Sequence, residues 1–260
     1  MSVYISVVSH NHSNLINELG CLRKLALEFK VVIKSNTPDD EFDGFFELDN
    51  LYWINNNFQY GLGFGKNNNL VYNYCCSKLD MNDDDLFIIL NPDVLIDLKM
   101  IKRIASKMEK DDIDIAAINL YKDSSFSEFD NSIRNFPTLL QFAASFLGFR
   151  NRAIIDKGSV NGDCEVDWAA GSFLAFRSGL YKKLRGFDEN YFMYCEDIDI
   201  CYRSSLLGSP VTYFPQIKAV HLAKHANRNV LSKHFIWHVK SVLRFLFSKI
   251  GLTRVESSIE

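Results

Sequence analysis

The amino-acid sequence predicts an α/β fold, a doubly wound, mostly parallel sheet carrying a C-terminal helical extension. Short β-branched apolar runs alternate with segments of helical length, the pattern of repeated strand–helix–strand units. Clusters of Asn, Ser and Asp follow directly on several of those runs, where loops leave the carboxyl ends of strands. A basic, apolar segment at helical spacing closes the chain. At 260 residues, 47% hydrophobic and 23% charged, the chain is long enough for one domain with a sizeable core. We read residues 1–225 as that domain and 226–260 as the helical tail. A net charge of −3 leaves no whole-chain electrostatic case for nucleic acid.

Tyr4–Ser9 reads as the first strand, and after the polar cluster His10–Asn14 a helix runs from about Asn14 to Phe29. Ser13 or Asn14 would be its N-cap. Val31–Lys34 is a second strand closed by Ser35–Asp39, and this spacing implies parallel pairing through a right-handed crossover. The Gly/Asn-rich segment 55–69 leads into a helix through Cys76. Leu86–Leu90 is the most strand-like run and ends at Asn91-Pro92-Asp93. A helix over Leu98–Glu109 and a strand over Ile113–Leu120 follow. Residues 122–165 begin polar and turn apolar over Leu139–Phe149, which predicts loops and a helix above a cleft. Val166–Phe176 has strand character, a helix begins near Glu196 and ends by Gly208, and Val211–Phe214 is the last strand. The six cysteines follow neither a disulfide layout nor C-x-x-C metal spacing. The apolar start is too short for a secretory signal and no run is long enough to span a membrane, so the expectation is a cytoplasmic chain with reduced thiols.

Three polar clusters, His10–Asn14, Lys34–Asp39 and Asn91–Asp93, fall where ligands of open parallel sheets bind. A carboxylate at Asp93 is placed to hold a divalent cation together with diphosphate oxygens, as Mg²⁺ and Mn²⁺ prefer. Read alone, Asn-Pro-Asp also fits a plain turn. Glu196, Asp197 and Asp199 crowd a helix start, where each gains from the helix dipole. Capping would explain them, yet like charges this close also raise one pKa, which suits a general base. Gly61-Leu62-Gly63-Phe64-Gly65 matches neither common phosphate-loop spacing. His221, after a strand-like stretch, is a candidate nitrogen ligand and equally a packing histidine.

Taken together, Val7–Asn11, Gly61–Asn69, Leu90–Val94, Trp168–Phe173, Gly186–Asp199 with Arg203, and Val220-His221 resemble the family-two glycosyltransferases of the GT-A fold. The resemblance is strongest to the rhamnosyltransferase-like branch that builds bacterial O-antigen and other surface polysaccharides. It implies that Asp93 is the surviving carboxylate of a D-x-D metal motif whose first position is Asn91 here, with His221 beside the metal or diphosphate. It implies that Asp197, in a Glu-Asp pair with Glu196 and close to Asp199, is the catalytic base. Trp168, Gly171 and Ser172 would wall the donor and acceptor. Ser9, Asn11, Gly65, Asn67 and Arg203 would line the donor side, and Ser35-Asn36 stand where many relatives carry an Asp that reads the nucleotide base. The implied cofactor is Mg²⁺ or Mn²⁺. The implied reaction is a single inverting displacement, with dTDP-L-rhamnose favoured over a UDP-hexose or UDP-galactofuranose as donor and a polyprenyl-diphosphate-linked saccharide as acceptor.

Along the tail, Phe235, Val239, Val242, Leu246 and Ile250 repeat at helical spacing, while Lys233, Lys240 and Arg244 form another stripe. Two partners fit such a helix: an anionic membrane surface at the cytoplasmic face of the inner membrane, or protein, either the domain itself or a second copy in a homodimer. Two rival readings of the whole chain remain, a nucleotidyltransferase and a non-catalytic nucleotide-sugar-binding subunit. The first lacks a basic Gly-rich signature at His10–Asn14, and the retained Asp93, Glu196, Asp197 and Asp199 speak against the second.

Overall fold

The strands that the sequence marks as buried runs form one curled sheet. The computed structural model describes residues 1–42, 48–138, 141–142, 153–223 and 233–259. Its strands are β1 (Val3–Ser9), β2 (Lys30–Ser35), β3 (Leu51–Ile54), β4 (Leu86–Leu90), β5 (Val94–Leu95), β6 (Ile115–Tyr121), β7 (Ile133–Arg134), β8 (Cys164–Val166), β9 (Trp168–Ala169), β10 (Phe173–Arg177) and β11 (Val211–His221). Its helices are α1 (Ser13–Leu19), α2 (Cys21–Leu25), α3 (Phe64–Lys78), α4 (Leu98–Lys110), α5 (Ser178–Lys183), α6 (Glu196–Leu206) and α7 (Lys233–Lys249).

The main sheet is ordered β3-β2-β1-β4-β10-β6-β11-β5, with β8 also paired to β11, while β7 and β9 form a separate ribbon. Alternation along the strands explains why helices cover both faces. Tyr4, Val32, Phe87 and Ile89 point into one core with Val71, Tyr181 and Ile198. Val3, Ile5, Ile33 and Ile88 point into the other with Ile16, Leu22 and Ile101. From β1 the chain builds outward through β2 and β3 on one side and then crosses to β4 on the other. That reversal opens a crevice beyond the carboxyl ends of β1 and β4.

Four differences from the sequence reading have local causes. The helix expected over 14–29 is two, because Gly20 adopts the left-handed region at φ 59° and its N–H closes α1 on the Ile16 carbonyl. His12 rather than Ser13 or Asn14 precedes α1, and no side chain caps it. The stretch 166–176 is not one strand: it breaks at a turn over Ala170–Ser172, and β10 then runs antiparallel to both β4 and β6. The sheet is therefore parallel at its β3-β2-β1-β4 end and at β6-β11, and antiparallel between. The last strand continues past Phe214 to His221 through an irregularity between Phe214 and Lys218. Most of the helix expected over 139–149, and the tail residues 226–232, lie outside the described residues.

Helix α7 lies on the domain. Val242 and Phe245 are buried, and the Phe245 ring meets Tyr202 of α6 edge-on at 5.9 Å. Among the described residues no helix is long and apolar enough to cross a membrane.

Gly63, at the start of α3, shows how tightly the loop before α6 is seated. A Cβ there would stand 2.6 Å from the Phe192 carbonyl oxygen and 2.9 Å from the Phe192 Cα, both backbone atoms. Gly63→Ala is expected to destabilise the protein by about 1–3 kcal/mol through overpacking. A calorimetric Tm lower by roughly 2 °C or more is the expected reading, and an unchanged Tm would contradict this packing.

Candidate active site

A turn of three residues joins the two acidic segments. Ala170–Ser172 interrupts the strand stretch just before β10, whose pairing with β4 begins at Phe173 opposite Leu90. The Gly171 N–H donates to Asp197 Oδ2 at 3.1 Å, and the Ser172 carbonyl accepts from the Asn91 N–H at 3.0 Å. Asn91-Pro92-Asp93 and the start of α6 thus border the same turn. A Cβ at 171 would stand 3.0 Å from the Phe64 ring, so a side chain there would need that ring to give by a few tenths of an ångström.

The pair at the start of α6 divides its labour by environment. Glu196 is buried and its Oε2 has no hydrogen-bond partner. Burial, and then the Asp197 charge, push its pKa well above the ordinary carboxylate range, so it holds its proton. Asp197 is densely surrounded but retains a partly exposed surface. Burial raises its pKa too, opposed by the Gly171 N–H, the Ile198 N–H at 2.9 Å and the Arg134 charge. The negative charge of the pair accordingly belongs to Asp197, the group with donors. A proton donor and a proton acceptor in adjacent positions is the division that acid–base chemistry uses.

On the other side of the crevice, His221 ends β11 in register with Val94 of β5. Its Nε2 lies 3.4 Å from Asp93 Oδ1, and its Nδ1 lies 2.6 Å from Asp130 Oδ2. Burial disfavours the imidazolium, but hydrogen bonds to Asp130 and Asp93 and their charges outweigh it and lift the His221 pKa to about 9. Burial likewise pushes both carboxylates up, and His221 more than reverses this, leaving Asp93 and Asp130 below their usual range. Among the described residues no three His, Cys, Asp or Glu side chains converge on one point. Two protein ligands, Asp93 Oδ1 and His221 Nε2, can still share a cation, because ligands at about 2.1 Å are separated by roughly 3 Å when adjacent in an octahedron. Asp130 on Nδ1 fixes the tautomer that leaves Nε2 for a metal. The donor set fits Mg²⁺ or Mn²⁺ completed by phosphate oxygens and water.

The remaining expected site residues divide. Asn36 ties the Gly-rich segment to the end of β2: its Oδ1 accepts from the Leu62 N–H and its Nδ2 donates to the Leu62 carbonyl, both at 2.9 Å. Ser9 Oγ donates to Asp40 Oδ1 at 2.7 Å, and Asn11 sits at φ 59° in the loop after β1. Ser35 Oγ accepts from Trp53 Nε1 at 2.8 Å. Trp168 is buried, with the Arg134 guanidinium 5.2 Å over its ring. Ser172 is buried beside the turn, its Oγ without a partner.

Four of the expected site residues make packing contacts. Asp199 accepts from Arg203 Nε at 2.7 Å, from Ser248 Oγ at 3.0 Å and from Tyr191 OH at 3.3 Å. Arg203 also donates to the Leu184 and Gly186 carbonyls. Both side chains are spent on holding α6 in place. Gly65 faces Phe187, whose Cβ would be 2.6 Å from an added Cβ, and Asn67 Nδ2 donates to the Leu62 and Gly63 carbonyls. These two seat α3.

Three residues at the crevice escaped the sequence reading: Asp40, Asp130 and Arg134. Asp40 is buried, with Oδ2 unpartnered and Oδ1 taking Ser9 Oγ and the His12 N–H. Asp130 lies in a polar stretch with no periodicity, so nothing in one sequence pairs it with a histidine 91 positions away.

The His221 cluster has a pH signature. Its folded pKa is raised, so its contribution to stability is complete below about 6.5 and is lost as pH rises through about 9. The depressed carboxylates add a contribution that is present above about 4 and lost on further acidification. Asp130→Asn should therefore be less stable than wild type at pH 7, and that gap should narrow by pH 10. Urea midpoints at the two pH values measure it, and a gap of constant size would contradict the assignment.

No family model matches the chain. It is 37% identical over 261 residues to the rhamnosyltransferase WbbL of Escherichia coli (strain K12), covering 95% of this chain and 93% of that one. It is also 36% identical over 81 residues to the N-acetylglucosaminyl-diphospho-decaprenol L-rhamnosyltransferase of Mycobacterium tuberculosis (strain CDC 1551 / Oshkosh), covering 31% of this chain and 26% of the relative. Among solved structures, Staphylococcus aureus TarS 1-349 in complex with UDP superposes with a TM-score of 0.58 at 17% identity, over 99% of this chain and 68% of that one. TarS 1-349 alone gives 0.54 at 17% identity, with 86% of this chain and 61% of TarS 1-349 covered. The structural likeness establishes the fold, and the near full-length match to WbbL establishes the family. The chain belongs to the family-two glycosyltransferases of the GT-A fold, in their rhamnosyltransferase branch.

Proposed function

We propose that the chain transfers L-rhamnose from dTDP-L-rhamnose to a hydroxyl of a polyprenyl-diphosphate-linked saccharide, with inversion at the anomeric carbon. The observation that carries this reading is the turn at Ala170–Ser172, which borders both Asp197 and the Asn91–Asp93 segment. Asp197, charged and partly exposed, takes the proton of the acceptor hydroxyl as that oxygen attacks the sugar. Glu196, protonated beneath it, limits the negative charge that the pair must hold. Asp93 and His221 hold the diphosphate end of the donor, and Asp130 orients the imidazole. A Mg²⁺ or Mn²⁺ ion at Asp93 and His221 would stabilise negative charge on the departing diphosphate. The acceptor class is supported by the name of the mycobacterial relative, an N-acetylglucosaminyl-diphospho-decaprenol L-rhamnosyltransferase.

A lipid-linked acceptor places the work at a membrane surface. Ile236, Leu243, Phe247 and Ile250 form one outward stripe along and just beyond α7, exposed by 54%, 49%, 47% and 67%, with Lys240 among them. Apolar groups beside a cation suit the interface of an anionic bilayer. On this reading the protein is peripheral, at the cytoplasmic face of the inner membrane.

In transfer from dTDP-L-rhamnose to an N-acetylglucosaminyl-diphospho-polyprenol, Asp197→Asn and Asp93→Ala should each lower kcat/KM by about 10²-fold or more. Unchanged circular dichroism would show that both variants are folded. Full turnover by Asp197→Asn would remove it as the base. In vesicle flotation, Leu243→Glu with Phe247→Glu should release the protein from anionic liposomes. Equal flotation of wild type and this double variant would exclude α7 as the anchor.

A further inference from the structure

The turn that delivers Asp197 is strained. Tyr194 and Cys195, the two residues before Glu196, occupy the left-handed region at φ 72° and 62°, and neither is glycine. Such residues cost about 1–3 kcal/mol each and persist only where their surroundings over-determine them. Cys195 is the N-cap of α6 and makes no side-chain capping bond, so the helix start does not hold itself.

What holds it comes from α7 and the segment after it. Ser241 Oγ donates to the Met193 carbonyl at 2.8 Å. Tyr194 OH pairs with His234 Nδ1 at 3.1 Å, and the Tyr194 ring lies 4.9 Å from that of His238. Phe192 packs on Trp237 with centroids 4.5 Å apart. One turn further along α7, Arg244 makes two hydrogen bonds to the buried Asp188, at 2.8 and 2.6 Å, at the start of the same loop. The chain end finishes the bracket: the Glu189 N–H donates to the Glu256 carbonyl at 2.8 Å, and Ser258 Oγ donates to Glu189 Oε1 at 2.6 Å.

We infer that the C-terminal helix and strap are part of the catalytic unit, with Ser241 and Tyr194 as positioning residues that hold the strained turn so that Asp197 meets the Gly171 N–H. This rests on Asp197 as the base. Removing either anchor allows the two left-handed residues to relax, which moves the carboxylate away from its donor. A displacement of about 1 Å in reacting groups costs on the order of 10²-fold in rate, so partial relaxation in a single-anchor variant is expected to cost roughly tenfold.

The test uses the full chain and two mild variants, Ser241→Ala and Tyr194→Phe, with Ser241→Thr as the conservative control. Hydrogen exchange of the ligand-free protein should quicken by about tenfold or more at the Met193–Asp199 amides in both variants and remain as in wild type at β4. In rhamnose transfer, kcat should fall by roughly tenfold while the dTDP-L-rhamnose Kd stays within about twofold, and Ser241→Thr should restore kcat. Unchanged local exchange and unchanged kcat in both variants would overturn the inference. Exchange that quickens throughout the sheet would overturn it as well, since the anchors would then be general packing. A fully active Asp197→Asn would instead defeat the base assignment, leaving the exchange data to judge the bracket alone.

Discussion

The geometry of the site depends on two hydrogen bonds made by the backbone of one turn, one to the Asp197 side chain and one to the Asn91 N–H. Gly171 and Ser172 leave the ladder between β9 and β10, and through them one short turn contacts both acidic segments. A sheet by itself would not bring these together, because Asp93 follows a strand and Asp197 opens a helix more than a hundred residues later. An extra methyl group at position 171 would crowd Phe64, itself edge-on to Phe187 at 5.7 Å. The turn is therefore fixed from the crevice side by backbone bonds and from behind by an aromatic wall. Small displacements of either segment would be transmitted to the other.

Around that turn the electrostatics run in opposite senses. At α6, burial without enough donors drives protons onto carboxylates, and only the Gly171 and Ile198 amides and Arg134 keep Asp197 charged. At β11, a histidine between two carboxylates gathers positive charge, and its partners stay ionised. On the proposed mechanism, a diphosphate leaving group would lie beside the second region and a hydroxyl losing its proton beside the first. The separation follows from which backbone donors and side chains each segment meets. A cation bound at His221 would compete with its proton, because a metal takes the neutral imidazole.

Much of this was legible in the residues, and the part that was not has physical causes. The parallel strands and Leu86–Leu90 announced themselves by apolar continuity, which both-face burial demands. The acid pair and Asp93 were legible as motifs. The direction of β10 was not, since an antiparallel strand buried on both faces carries the same apolar pattern as a parallel one. Asp199 was grouped with the catalytic acids and Arg203 with the donor side, because charge crowding alone does not reveal that the two pair with each other along one helix face. Asp130 and the Tyr194-Cys195 strain depend on tertiary contacts, and no spacing in a single sequence encodes either.

The two faces of α7 bear on how this chemistry is tied to its acceptor. Its inward side carries Ser241, Val242 and Phe245 against the domain, and its outward stripe is apolar. A helix anchored only at its ends could rock on a bilayer without consequence for the site. Here the inward anchors reach Met193 and Asp188, so rocking would act directly on residues held at positive φ. Strained residues relax readily, and a rigid bracket is the simplest means of keeping them in place at a fluctuating interface. If the stripe rests on a bilayer as proposed, the same bracket would set the height of the crevice above that plane. An acceptor whose diphosphate lies at that plane would present a hydroxyl of its attached sugar at a defined depth, so helix register on the membrane and reach into the site become a single geometric quantity.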